Sequence, residues 1–170
     1  MSRRQVLALA LVSVWVAWTL FMWFAATRSF RTAGRILVHS QPQFAQILEP
    51  LGQNASRVVL RYFASQVNAA YFRTYGLAQM LLGVAVAILL GWRAPRGQIA
   101  FVLVCVMLAI ALILALIIAP QIASLGSALV INPSPAAMPR FWMLHGAYTG
   151  LDGIKLLIGI TLVVRWVLMA

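Results

Sequence analysis

Acidic residues are almost absent from this sequence. Glu49 and Asp152 are the only two among 170 residues, and they stand far apart in the chain. Catalysis by paired carboxylates therefore has no candidate, and the two histidines and one cysteine form neither a zinc-type spacing nor a nucleophile–histidine–acid set. A glycine-rich phosphate-binding loop is missing as well. The sequence predicts a protein that is not an enzyme on its own.

Charge and cysteine are scarce too. Charged residues make up 9% of the chain and hydrophobic residues 64%, whereas soluble domains carry about 25% charged residues. A soluble domain of ~150 residues still leaves ~30% of its extended-chain surface in water, and this chain has too few polar residues to cover such a surface. Cys105 is the single cysteine, which excludes a disulfide within the chain and a multi-cysteine metal site. The composition predicts a membrane protein whose outer faces are solvated by lipid.

Four apolar runs divide the chain. A helix needs about 20 apolar residues to cross a hydrocarbon core of ~30 Å, and backbone groups in lipid must be hydrogen-bonded internally. The first run is longer than the ~7–15-residue core of a secretory signal, so it is predicted to be an uncleaved span. Tyr71 and Tyr75 are expected at the membrane interface, where they lengthen the second run. The predicted fold is all-α, a single integral membrane domain over 1–170 with a four-helix transmembrane bundle, its spans at about 5–27, 71–92, 99–119 and 141–168.

The connections between the runs differ in length and chemistry. The tight turn at 93–97 predicts that the second and third spans are antiparallel neighbours, and the proline-rich stretch 120–140 predicts an extended loop, with a short surface helix at 121–129 as the alternative. The long connection 28–70 is predicted to be an Arg-rich interfacial segment whose helical pieces direct guanidinium groups to lipid phosphates. Its alternative is a simple extension of the spans with snorkelling arginines. The arginines at helical spacing in this connection are Arg28, Arg31, Arg35, Arg57 and Arg61.

The formal net charge of +11 fits two kinds of partner, anionic lipid headgroups and nucleic acid. Most arginines lie at the ends of apolar runs rather than among the polar and aromatic residues of a soluble fold, so the sequence predicts contact with lipid and no nucleic acid. Seven arginines fall on the side of the first and third connections and five on the other. This difference favours a cytoplasmic first connection, and the excess of arginine over lysine favours a bacterial inner membrane.

The fourth run is the one that carries polar groups. His145, Thr149 and Asp152 recur at i, i+4 and i+7, and Lys155 follows Asp152 by three residues. On a helix these side chains share one stripe. Beside the stripe lie three small residues that let another helix approach closely, including a GxxxG spacing: Gly146, Gly150 and Gly153.

Three interpretations of this stripe stay open. Asp152 and Lys155 form an internal ion pair that cancels the cost of charge in the membrane, while the glycines serve packing. Alternatively, His145 is an axial ligand for haem iron or for the magnesium of a chlorophyll-type pigment. In the third interpretation, Asp152 and Lys155 belong to a proton or ion pathway.

The pattern Phe141-x-x-x-His145-Gly146, followed by small and polar residues and an aliphatic run, resembles the domain-of-unknown-function 4149 family, the bacterial relatives of transmembrane protein 205. The end of the third run, 117–122, and the Arg-containing segment before the second run are also similar to that family. The resemblance implies a four-helix membrane protein and brings no biochemical activity with it. From the missing catalytic set, the glycine face and the Arg-rich segments, we expect a non-catalytic accessory or scaffold subunit of a larger bacterial membrane complex. Its partners would be anionic lipids and other transmembrane subunits, as in respiratory or photosynthetic assemblies.

Overall fold

The computed structural model describes residues 2–91 and 98–168, and within these ranges it is helical, with no strand. The predicted turn at 93–97, with Trp92 before it, lies outside the described residues. The elements in chain order are α1 (Arg3–Val38), α2 (Pro42–Leu48), a 3-10 turn (Glu49–Leu51), α3 (Gly52–Leu90), α4 (Gln98–Ile113), a π-helical segment (Leu114–Ile118), α5 (Ala119–Ile131) and α6 (Met138–Leu168). The all-α prediction is confirmed.

Three helical stretches are long and apolar enough to cross a membrane: Arg3–Val38, Pro42–Leu90 and Gln98–Ile131. This finding agrees with an integral membrane protein. The fourth long helix, α6, has 31 residues and differs from the others by holding Asp152 and Lys155 near its middle.

The long first connection consists mostly of helix that continues the spans. α1 runs on through Arg28 and Arg35 to Val38, and α3 begins at Gly52, before Arg57 and Arg61. Only α2 and the following 3-10 turn are separate short pieces. Of the two interpretations of this connection, extension of the spans describes the structure; contact of its arginines with lipid headgroups stays a prediction.

The predicted extended loop after the third run is wrong for its first half. α5 follows directly on the π-helical segment, so Gln98–Ile131 is helical throughout. Pro120 sits in the first turn of α5. Proline has no N–H to donate, and a π segment directly before it accommodates the irregular hydrogen bonding that an α-helix would not. The surface-helix alternative at 121–129 was the better one.

α1, α3, α4 and α6 pack around a shared apolar core that includes Val12, Val86 and Leu162, each fully buried. Close approach of the helices depends on glycine at particular positions. A Cβ at Gly76 would lie 2.7 Å from the Cβ of Ala115, and a Cβ at Gly159 would lie 2.8 Å from a methyl group of Val16. These contacts join α3 to the π segment and α6 to α1.

Candidate functional site

A charged pair lies in the interior of the bundle. The Nζ of Lys155 is 2.5 Å from the Oδ1 of Asp152, and both side chains are fully buried. The i, i+3 spacing places the two groups one turn apart on α6, so the helix supplies its own counterion. A buried ion pair is stable only when its remaining hydrogen-bonding groups are also satisfied, which makes the surrounding residues decisive.

Lys155 uses all three of its N–H donors inside the bundle. Besides Asp152, its ammonium group donates to the hydroxyl of Tyr75 at 3.2 Å and to the side-chain oxygen of Gln79. Tyr75 and Gln79 are each 1% exposed and stand at i, i+4 on α3. The ammonium ion therefore sits among three oxygen atoms with no contact to the outside.

The carboxylate of Asp152 is completed by an aromatic residue of α1. The indole N–H of Trp23 donates to Oδ2 of Asp152 at 2.7 Å, and the hydroxyl of Tyr75 lies 3.5 Å from Oδ1. The ring of Trp23 is 38% exposed on the outer surface while its N–H points inward. Trp23 thus covers the ion pair on the α1 side.

A second hydrogen-bond chain ties α1 to α3 around the pair. The hydroxyl of Tyr75 donates to Oγ1 of Thr19 at 2.8 Å, and the hydroxyl of Thr19 donates to the carbonyl oxygen of Trp15 at 3.0 Å. The indole N–H of Trp15 returns to the Gln79 oxygen at 3.2 Å. Two donors at this oxygen fix the orientation of the Gln79 amide, whose Nε2 has no partner among the described residues. We call the seven side chains the polar core: Trp15, Thr19, Trp23, Tyr75, Gln79, Asp152 and Lys155.

Sequence reasoning identified the α6 members of the polar core but missed the five from α1 and α3. The prediction that Tyr75 lies at the membrane interface is wrong, because its ring and hydroxyl are inside the bundle. A signal was present in the sequence. Thr19 stands four residues from Trp15 and from Trp23, and Gln79 stands four residues from Tyr75. The first and second apolar runs therefore each carry a polar residue one helical turn from an aromatic residue with an N–H or O–H group.

The predicted stripe on α6 divides into two parts. Asp152 and Lys155 are buried, whereas His145 and Thr149 are exposed, and the Thr149 hydroxyl donates to the carbonyl oxygen of His145 at 3.0 Å. Helical spacing in the sequence predicts which side of α6 a side chain lies on. It does not predict whether a neighbouring helix covers that side at the position of the residue along the helix axis. The structure therefore does not bring His145 to the ion pair.

The imidazole of His145 lies between two aromatic rings of its own helix. The centroids of the Phe141 and Trp142 rings are each 5.9 Å from it, one stacked and one edge-on. Because the residue is exposed, a haem or pigment held there would need walls from a neighbouring subunit, and the axial-ligand role stays a prediction. Among the described residues, no three His, Cys, Asp or Glu side chains group as metal ligands would.

The three glycines predicted as a packing face, Gly146, Gly150 and Gly153, do not seat another helix within the described part of the chain. A Cβ at Gly146 or Gly150 would meet no atom within 4 Å, and one at Gly153 would meet only the Trp23 ring, at 3.9 Å. Packing of this face against a helix of another subunit stays a prediction.

Comparison with known proteins identified no relative, since no family model, no curated protein and no solved structure matches the chain. The resemblance to the domain-of-unknown-function 4149 family is thus carried by the motif residues alone and stays a prediction.

Proposed function

We propose that the protein is a four-span membrane protein, with α6 as the fourth span, and that it works as a non-catalytic accessory or scaffold subunit of a larger bacterial inner-membrane complex. The observation that carries this proposal is the closure of the polar core. Asp152 and Lys155 are fully buried, and their hydrogen-bonding groups are occupied by side chains of the same protein. The Asp152–Lys155 pair therefore joins α6 to α1 and α3, and its hydrogen-bonding groups are already used within the protein rather than offered to a substrate.

The same closure supports α6 as a span. A single charged residue at the middle of a membrane helix costs about 2.5–3.5 kcal/mol on insertion scales. In α6 the two opposite charges are 2.5 Å apart, so the helix presents a dipole rather than two ions to the bilayer. The donors and acceptors of α1 and α3 then replace the water that the pair loses.

A scaffold role fits the outside of the bundle as well as its inside. The polar core links α1, α3 and α6 into one unit, while the exposed surface offers the small-residue face at Gly146 and Gly150 and the arginines of the first connection. These are surfaces for helices of other subunits and for anionic headgroups.

The particle size in the native membrane tests this function. The tagged full chain, extracted with native lipid into nanodiscs, is expected in a particle well above its own 18.6 kDa that contains other transmembrane subunits in fixed ratio. A variant with Gly150→Leu on the exposed face should keep its fold and lose those subunits, whereas Leu157→Met, at another exposed position of α6, should keep them. A solitary monomer from the native membrane would refute the scaffold role.

A proton or ion pathway is the second candidate. Two observations favour it: the Tyr75 hydroxyl has both Thr19 and Asp152 as acceptors within 3.5 Å, and the buried Nε2 of Gln79 has no partner among the described residues. Such a pathway would route charge through Asp152. Proteoliposomes with the wild-type chain would then show proton or cation flux that Asp152→Asn abolishes, while Thr161→Ser on the exposed side of α6 leaves it unchanged. If proteoliposomes with the wild-type chain show no more proton or cation flux than protein-free vesicles, this role is excluded.

A further inference from the structure

The predicted spans end at 27 and begin again at 71, whereas α1 runs on to Val38 and α3 begins at Gly52, so both helices extend past the predicted membrane level on one side. The side-chain amide of Asn68 donates to the carbonyl oxygen of Ala26 at 3.2 Å, which places these two residues at the same height. Ala26 is next to the end of the first apolar run, since Arg28 follows. We call residues 28–67, which lie beyond this level, the projecting hairpin. The α3 part of the hairpin begins at Gly52, so at 1.5 Å per residue it rises about 24 Å above Asn68.

An apolar groove runs along the projecting hairpin, between α3 and the end of α5. It has a volume of about 400 Å³ and is lined by Val58, Val59, Tyr62, Phe63, Gln66 and Ile131. Phe63 is 67% exposed and Ile131 is 63% exposed. Large apolar side chains are grouped here on one side of a helix, which in a soluble region marks a docking surface.

Acyl chains do not reach most of this groove. Phe63 lies five residues beyond Asn68 and Val58 ten, or about 8 and 15 Å along the helix axis. Each headgroup layer is only about 5–8 Å thick, given a ~30 Å core within a 40–45 Å bilayer. The groove therefore starts at headgroup depth and extends into water, where apolar surface costs about 25 cal/mol per Å².

The charge of the projecting hairpin selects the kind of partner. It holds five arginines against the single acid Glu49, a formal charge of +4. Two of the arginines, Arg57 and Arg61, stand one position before Val58 and Tyr62 on the same helix, and both are exposed. Arg57 and Arg61 lie 11 and seven residues beyond Asn68, or about 16 and 10 Å along the helix axis, which is past the headgroup layer that other arginines of the connection can reach. A second copy of this chain would bring an equal positive charge to the surface, so an acidic protein partner is the one whose charge complements it.

We propose that the groove binds an amphipathic helix with acidic residues, contributed by another subunit of the complex. This inference rests on the proposed scaffold function and names the surface that serves it. The apolar side of the partner helix fills the groove over Val59 and Phe63, in the way that helices dock into hydrophobic grooves. Its carboxylates pair with Arg57 and Arg61, which fixes the direction in which the helix lies.

Photo-cross-linking in the native membrane tests the proposal. Benzoylphenylalanine at position 63 of the full chain is expected to give one protein adduct, and sequencing of the cross-linked peptide should show an amphipathic helical segment rich in Asp or Glu. Arg57→Glu with Arg61→Glu should reduce the adduct about tenfold, which corresponds to about 1.4 kcal/mol. The milder pair Arg57→Gln with Arg61→Gln should reduce it less, and size-exclusion profiles establish that each variant is folded. The matched control is the same probe at Leu81, which is 64% exposed on the spanning part of α3 and is expected to label lipid.

The outcomes separate this inference from the function it rests on. Labelling of lipid at position 63, a dimer of the chain, or a cross-linked segment without acidic residues would each overturn the docking proposal while a large native particle still stands. A solitary particle with no adduct would overturn the scaffold function as well. Unchanged labelling in both arginine pairs would show that charge does not select the partner.

Discussion

The strength of the buried ion pair is open to direct measurement through a double-mutant cycle on α6. Lys155→Met keeps an apolar stem of similar length but removes three donors, leaving the Asp152 carboxylate with the Trp23 N–H and the distant Tyr75 hydroxyl. Removing one partner of a buried pair costs 3–5 kcal/mol in soluble proteins. In micelles the unfolded chain also finds partners, so we expect a loss of about 3 kcal/mol. Asp152→Asn, which leaves the ammonium ion without its counterion, should cost a similar amount.

The combined variant provides the decisive comparison. With Asp152→Asn and Lys155→Met together, no uncompensated charge stays in the bundle, and the total loss should fall about 2 kcal/mol short of the sum of the single losses. The free energy of unfolding is measured by titrating SDS into mild-detergent micelles and following helix content by circular dichroism. Leu157→Met, at a position 65% exposed on the same helix, should change it by less than about 0.5 kcal/mol. Additive losses, or single variants as stable as the wild type, would refute the coupling of these two charges.

Three further predictions concern the packing and insertion of the bundle. Gly76→Val should lower the free energy of unfolding by about 1–3 kcal/mol, because a Cβ at position 76 would lie 2.7 Å from the Ala115 methyl group. Gly146→Val, where a Cβ would meet no atom within 4 Å, should leave the free energy of unfolding in mixed micelles unchanged. Trp23→Phe removes a hydrogen bond to a charged group and should cost about 1.5–3 kcal/mol, while Trp142→Phe, at a 60% exposed position, should cost little; equal losses would count against the indole–carboxylate contact. In a glycosylation-mapping assay, α6 fused alone to a reporter should insert poorly into the membrane, and replacing its charged pair with leucines should restore insertion. Efficient insertion of the unaltered helix would show that α6 does not need the hydrogen-bonding groups of α1 and α3 in order to insert.

Much of the fold follows from composition and run length, and the errors lie where the chain leaves the hydrocarbon. Apolar runs predict helices because lipid offers the backbone no other hydrogen-bond partners. The same rule does not say where a helix stops once the chain reaches the headgroups. Residues 119–131 therefore continue as helix although Pro120 suggested a loop, and residues 28–38, predicted to be helical, extend α1 rather than forming a separate interfacial helix.

The polar core shows the corresponding limit for the site. Asp152 and Lys155 stood out in the sequence because charge is rare in an apolar run, and their spacing indicated a pair. Thr19, Tyr75 and Gln79 did not, because uncharged polar residues cost little in a membrane helix and have many uses there. These three residues come together around the charged pair only because α1 and α3 pack against α6 in a particular axial register. That register follows from packing at sites such as Gly159 rather than from any local sequence pattern.

The arrangement of charge in the polar core also explains how such a bundle can assemble. Both ions belong to α6, one turn apart, whereas α1 and α3 contribute only neutral indole, hydroxyl and amide groups. A charge pair divided between two helices would leave each helix with an isolated ion until they met. Here the two charged members of the polar core are already paired within α6 before packing, and the neutral groups of α1 and α3 complete their hydrogen bonds as the helices come together. The network can therefore fix how deep α6 sits against α1 and α3 without separating the two charges of the pair at any step, which suits the proposed scaffold function, since that function needs an outer surface held at a defined height.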